Sequence, residues 1–103
     1  MSIVKDILKD EKERLIILKN QIEEQIVSLP KGSLSKKKRS NKWYFYLAYR
    51  DGKKIIFKYV GKENSSKVIS LDKAICKRRK LEKRLRDIKK DLKDIKRGLG
   101  EKQ

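Results

Sequence analysis

Two apolar stripes, each spaced at alternating threes and fours, bracket a short stretch that holds every aromatic residue of the chain. That arrangement leaves few folds open. The first stripe is Val4, Leu8, Leu15, Leu18, Ile22 and Leu29, with Glu11 and Gln25 in the remaining seam positions. The second is Leu71, Ala74, Leu81, Leu85, Ile88, Leu92, Ile95 and Leu99, with Arg78 as its one charged member. Side chains at this spacing line one side of a helix, and a narrow stripe flanked by charge is the seam of a coiled coil. Neither helix can bury its stripe alone. The pair therefore predicts an antiparallel coiled-coil hairpin, with Val4 meeting Leu99 to within about a turn. Pairing of the same stripes between chains, as a homodimer through the helices, is the competing arrangement.

The boundaries follow from caps and breakers. Helix one is expected over 1–29, with Ser2 as its N-cap, and ends because Pro30 disfavours helical geometry at Leu29 and Gly32 frees the backbone to turn. Helix two is expected over 66–99. Ser70 with Asp72 behind it suits its start, Gly98 and Gly100 suit its end, and 100–103 form a tail.

Between the helices, Trp43, Tyr44, Phe45, Tyr46, Tyr49, Phe57 and Tyr59 all fall within 17 residues, and such residues favour strands. Asp51-Gly52 is a strong hairpin signal between 43–50 and 53–60, and Ser40-Asn41 is a weaker turn after a strand over 33–39. The expectation is a three-stranded antiparallel meander over 31–62 inserted between two long helices, an α+β fold in a single domain over 1–103. A two-residue turn at Asp51-Gly52 places Tyr44, Tyr46, Ala48, Ile55, Phe57 and Tyr59 on one face. Trp43, Phe45, Leu47, Tyr49, Ile56 and Val60 share the other with Lys54 and Lys58. Both faces are aromatic, so the sequence leaves open which one is covered.

Charge indicates the chemistry of the partner. Lys and Arg number 31 against 14 Asp and Glu, a formal net charge of +17. The excess is uneven: residues 1–30 carry −1, 31–62 carry +10 and 63–103 carry +8. In the middle segment eleven cations face Asp51 alone, so they cannot neutralise one another. A segment of that kind suits a polyanion, and DNA or RNA is the expected partner. The candidate nucleic-acid-binding residues are Lys36, Lys37, Lys38, Arg39, Lys42, Arg50, Lys53, Lys54, Lys58 and Lys62 in the sheet, and Lys77, Arg78, Arg79 and Lys80 in the second helix. Trp43, Tyr44, Tyr46 and Tyr49 are the candidate stacking residues.

Other classes are disfavoured. No signal peptide, transmembrane run or lipidation site is evident, which points to a cytoplasmic protein with no membrane partner. Cys76 is the single cysteine and histidine is absent, so one chain builds neither a disulfide nor a Cys/His zinc site. No cofactor is expected, and no convergent set of nucleophile, base or phosphate loop supports catalysis. The rival reading is a protein-interaction module, of the kind phage inhibitors represent, docking on an acidic protein or a nucleoprotein complex.

The run from Lys31 to Lys62 resembles an uncharacterised family of small prokaryotic domains. The matching residues are Lys31-Gly32-Ser33 at the start, Tyr44, Tyr46 and Tyr49-Arg50 along the tyrosine-rich strand, Gly52-Lys53 at the turn, and Lys58-Tyr59-Val60-Gly61 at the close. That resemblance implies no established activity, the family being one of unknown function. The same run, followed by a helix, is similar to the arm-type DNA-binding domain of tyrosine recombinases, whose three-stranded sheet sits in a DNA groove. This similarity implies phosphate and base contacts from Lys36, Lys38, Arg50, Lys53 and Lys58. The chain departs from that domain in its long N-terminal helix and in lacking a recombinase catalytic domain after the sheet. A stand-alone DNA-binding accessory or regulatory protein from a prokaryote, a phage or another mobile element fits both resemblances.

Overall fold

A computed structural model describes residues 3–101. The elements are α1 (Ile3–Val27), β1 (Ser33–Arg39), β2 (Lys42–Asp51), β3 (Lys54–Lys62) and α2 (Ser66–Gly98). Two helices with a three-stranded antiparallel sheet inserted between them make the α+β fold that the sequence predicts. The Ser2 cap, and Lys102 and Gln103 of the tail, lie outside the described residues. The chain divides into two compact units, Met1–Ser28 with Lys80–Gln103, and Leu29–Arg79.

In the first unit, α1 and the C-terminal part of α2 share one apolar core. Leu15, Ile22, Ile26, Ile88, Leu92 and Ile95 are buried, and Leu8, Leu18, Leu81, Leu85 and Leu99 pack around them. The helices run antiparallel, since Gly98 lies beside Leu8 and the Lys12 ammonium is 2.7 Å from the Glu101 carboxylate.

Two positions of the first stripe differ from the expectation. Ile26 is buried where the heptad placed Gln25, because an unsupercoiled helix turns every 3.6 residues and the stripe drifts by a residue over 15, 22 and 26. Val4 is 65% exposed. The partner helix stops opposite Leu8, one turn short of it. Gly100, with φ +77°, ends α2: its N–H donates to Arg97 O and the Glu101 N–H donates to Lys96 O, the pattern of a Schellman cap. Glu11, a seam carboxylate in the heptad reading, instead accepts two hydrogen bonds from the Arg14 guanidinium, at 2.6 and 3.0 Å. That bond holds its carboxyl below the ordinary carboxylate range.

The second unit is built on the sheet, in strand order β1-β2-β3. Ser40 and Asn41 join β1 to β2 with φ of 51° and 64°, the all-positive geometry of a type I′ turn. Left-handed geometry costs most non-glycine residues roughly 1–2 kcal/mol and asparagine less, and glycine is the favoured second residue of this turn. Asn41→Gly is therefore expected to stabilise the protein by about 0.5–1 kcal/mol. The midpoint of urea unfolding checks this, and a lowered midpoint would mean that the asparagine side chain contributes more than its backbone conformation costs.

The second hairpin differs by one residue from the expectation. Asp51 pairs with Lys54, so the loop is Gly52-Lys53 rather than Asp51-Gly52. Gly52 takes φ +63° at the first loop position, where a type II′ turn needs glycine. At the other end of the sheet, Gly32 has φ +122° and sits so close to β2 that a Cβ there would collide with the Ala48 carbonyl oxygen. Only glycine lets the chain enter β1 at that point.

α2 begins at Ser66, at the start of the 66–99 span and four residues ahead of the start signal at Ser70. Ser65 is the cap, its hydroxyl accepting from the Val68 N–H at 3.3 Å. The extra turn brings Val68, 6% exposed, into the core of this unit.

Candidate functional site

The strand register assigns every sheet residue to a face. Ser33 pairs with Ala48, Ser35 with Tyr46 and Lys37 with Tyr44, while Ala48 pairs with Phe57, Tyr46 with Tyr59 and Arg50 with Ile55. Residues paired side by side share a face, so Lys37, Arg39, Lys42, Tyr44, Tyr46, Ala48, Arg50, Ile55, Phe57 and Tyr59 stand together. A bulge at Val60 shifts the register between Phe45 and Tyr46, which pairs Lys62 with Tyr44 and adds it to this face. Leu34, Lys36, Lys38, Trp43, Phe45, Leu47, Tyr49, Lys54, Ile56 and Lys58 occupy the opposite one.

The two faces differ in what covers them. On the second face, Leu34 and Phe45 line one cleft of about 310 Å³ with Val68 and Ile69 of α2, and a Cβ on Gly61 would lie 3.6 Å from Val68. The start of α2 lies against that face. The first face is open: Ile55, Phe57 and Tyr59 are each more than half exposed. These three residues line the edge strand β3, and apolar area left in water along a strand is what a partner would cover.

The charges are also treated differently. On the covered face Lys36 donates to the Glu63 carboxylate at 2.9 Å and lies 4.6 Å from the Trp43 ring centre, with Lys38 at 5.8 Å from the same ring. On the open face Lys37 has ring faces in place of a carboxylate, 4.4 Å from the centre of Phe57 and 5.1 Å from that of Tyr46. Tyr59 packs edge-on to Tyr46 at 5.5 Å and is tilted against Tyr44 at 6.3 Å. The strands contain one acidic residue, Asp51, and its pairing with Lys54 places it on the other side. Five cations and four exposed or half-exposed rings thus share a surface with no carboxylate of its own strands.

The structure therefore separates the residues that sequence grouped. Lys37, Arg39, Lys42, Arg50 and Lys62 fall on the open face with Tyr44 and Tyr46. Lys36, Lys38, Lys54 and Lys58 fall on the other with Trp43 and Tyr49, and Lys53 occupies the hairpin loop. Lys77, Arg79 and Lys80 are exposed on α2. Arg78 has a structural contact: its Nη1 donates to Leu29 O at 2.6 Å, tying α2 to the segment that leads into β1. Phe57 and Tyr59 belong to the open platform and were missing from the stacking candidates; the register signal that adds them is their period-two spacing from Ile55. Cys76 is an exposed free thiol.

No helix among the described residues is long and apolar enough to cross a membrane, and no group of three or more His, Cys, Asp or Glu among them could hold a metal ion. Residues 8–69 match DUF6788, a domain of unknown function. The chain belongs to this family. The matched region takes in most of α1, the whole sheet and the first turn of α2, so the open face and the helical turn that covers its reverse both lie within the family's domain. Neither the curated proteins nor the solved structures include a match.

Proposed function

We propose that this protein is a small nucleic-acid-binding module that contacts phosphates through the open face of its sheet, and that its role is binding rather than catalysis. One observation carries the reading: Lys37, Arg39, Lys42, Arg50 and Lys62 surround exposed aromatic side chains on a face to which the strands contribute no carboxylate, Asp51 standing on the other side. A cation stacked on an exposed ring gains roughly 0.5–1 kcal/mol, less than a charge-assisted bond to a phosphate oxygen. Phosphate can therefore draw Lys37 away from the Phe57 and Tyr46 rings it lies over. The exposed cations of α2, Lys77, Arg79 and Lys80, add to the field that steers a polyanion. Similarity to the recombinase arm domain supports DNA as the target and an accessory role on a mobile element, and a cytoplasmic location accords with both.

A second observation favours a protein partner elsewhere on the chain. Ile3, Val4, Ile7 and Ile17 of α1 are exposed, on the one segment without net positive charge. An interaction module reading rests on that helix, not on the sheet.

Titration of the protein with duplex DNA, single-stranded DNA and structured RNA at several salt concentrations separates the two. Contacts by five cations predict a log-log salt slope of up to about −3.5 for a single strand and −4.5 for a duplex. Absence of binding to all three at low salt, or a flat salt dependence, would overturn the nucleic-acid reading and favour the protein partner.

A further inference from the structure

Resting on that reading, we propose that the open face takes a single strand, DNA or RNA, whose unpaired bases stack on Phe57, Tyr59, Tyr44 and Tyr46 while its phosphates run along the surrounding cations. The arrangement of residue types on the face argues for this. Its centre is Tyr44, Tyr46, Ala48, Phe57 and Tyr59, and its cations stand towards the strand ends and on β1. A duplex offers a reader the edges of its bases, which are recognised by amide, guanidinium and carboxylate groups. The centre of this face has none of those. Aromatic rings bind the flat faces of bases, and only unpaired bases present them.

The local shape agrees. A cleft of about 460 Å³ is bounded by Gly32, Ser33, Ala48, Arg50, Ile55 and Phe57. The missing side chain at Gly32 and the methyl of Ala48 make it a depression beside the Phe57 ring, within the size range of small-ligand sites and next to the Arg50 guanidinium. The Tyr46–Tyr59 edge contact fixes the neighbouring rings. Lys37 lies over Phe57 and Tyr46. When it moves to a phosphate it uncovers the two rings it shields, so neutralising the backbone and exposing the platform are one event.

The test uses the full chain and fluorescence anisotropy with a labelled single-stranded oligodeoxynucleotide, the same sequence as RNA, and the matching DNA duplex. The wild-type protein is expected to prefer the single strands. Phe57→Leu with Tyr59→Leu keeps apolar bulk and removes the rings; at about 5-fold or more per ring, the double variant should bind a single strand roughly 25-fold more weakly. The salt slope should stay unchanged, because stacking releases no counterions. Phe57→Tyr with Tyr59→Phe should restore most of the affinity. Duplex bound as tightly as single strand by the wild type would overturn the proposal while leaving a steep salt dependence, and with it the broader reading, intact. So would a leucine variant that binds like the wild type. If no nucleic acid binds at all, both fail. The strand-versus-duplex comparison needs no variant, so it decides the matter even if the leucine pair does not fold.

Discussion

Alanine at Lys37, Arg39, Lys42 and Arg50 together is expected to abolish most nucleic-acid affinity and to flatten the log-log salt slope by about 2.8 for a single strand or 3.6 for a duplex, at about 0.7 or 0.9 per phosphate contact. Alanine at Lys36, Lys38, Lys54 and Lys58 also removes four positive charges from the sheet, two from β1 and two from β3, where the first set takes two from β1 and two from β2. It is expected to cost much less. The two sets lie on opposite faces of one sheet. The second set stands on the face against which α2 begins, where Lys36 already holds Glu63 at 2.9 Å. Net charge is therefore matched and only position differs. Salt titrations of the two quadruple variants against one oligonucleotide decide the point. Equal losses would mean that the overall field binds the polyanion without a defined face, and a larger loss in the second set would move the contact surface to the other side of the sheet.

Ile22→Asp is expected to unfold the helical unit. Ile22 is 2% exposed at the centre of the core that α1 shares with α2. Removing its aliphatic atoms costs about 2–5 kcal/mol, and an unpaired buried carboxylate adds several more. Small domains are stable by about 5–15 kcal/mol in all, so the sum approaches the whole of it. Ile17→Asp, five residues earlier on the same helix, is the comparison. Ile17 is 59% exposed, and its replacement should change stability by no more than about 0.5 kcal/mol. Far-UV circular dichroism and thermal unfolding check both. A cooperative, wild-type transition in the Ile22 variant would show that the helices do not depend on this core, and a collapse of the Ile17 variant would show that its exposed face is covered in solution by a second copy or another protein.

Much of the architecture was legible because it follows from local periodicity. The spacing of Leu15, Ile22, Ile88, Leu92 and Ile95 marks two helices that need each other's apolar sides, and the pairing of Asp51-Gly52 with flanking aromatic runs marks a hairpin. The division of side chains between the sheet faces was also readable. It survived an error in the turn: the loop is Gly52-Lys53, one residue later than expected, which moves both strands by one and shifts the sum of paired numbers by two. Because the pleat repeats every two residues, Tyr44, Tyr46, Ala48, Ile55, Phe57 and Tyr59 stay together.

What periodicity could not supply was the burial of Ile26 in place of Gln25 and the exposure of Val4. The first depends on how far the helix drifts from a heptad, and the second on where the opposing helix stops. The functional difference between the two sheet faces is of the same kind. Both carry aromatic residues and lysines, so composition treats them alike, and Lys36, Lys37 and Lys38 are neighbours in sequence. The distinction arises at the end of β3, where the missing side chain of Gly61 leaves room for the Ser65 hydroxyl that caps α2, so that the helix begins against Leu34 and Phe45. By itself the sequence determined two helices, three strands, the membership of each sheet face up to the bulge at Val60 and an excess of positive charge, all set by neighbours along the chain. Only the tertiary structure decided which face α2 covers and which keeps Lys37, Arg39 and Arg50 in water beside open rings, because that choice rests on contacts between segments whose order in the sequence carries no record of which side they meet.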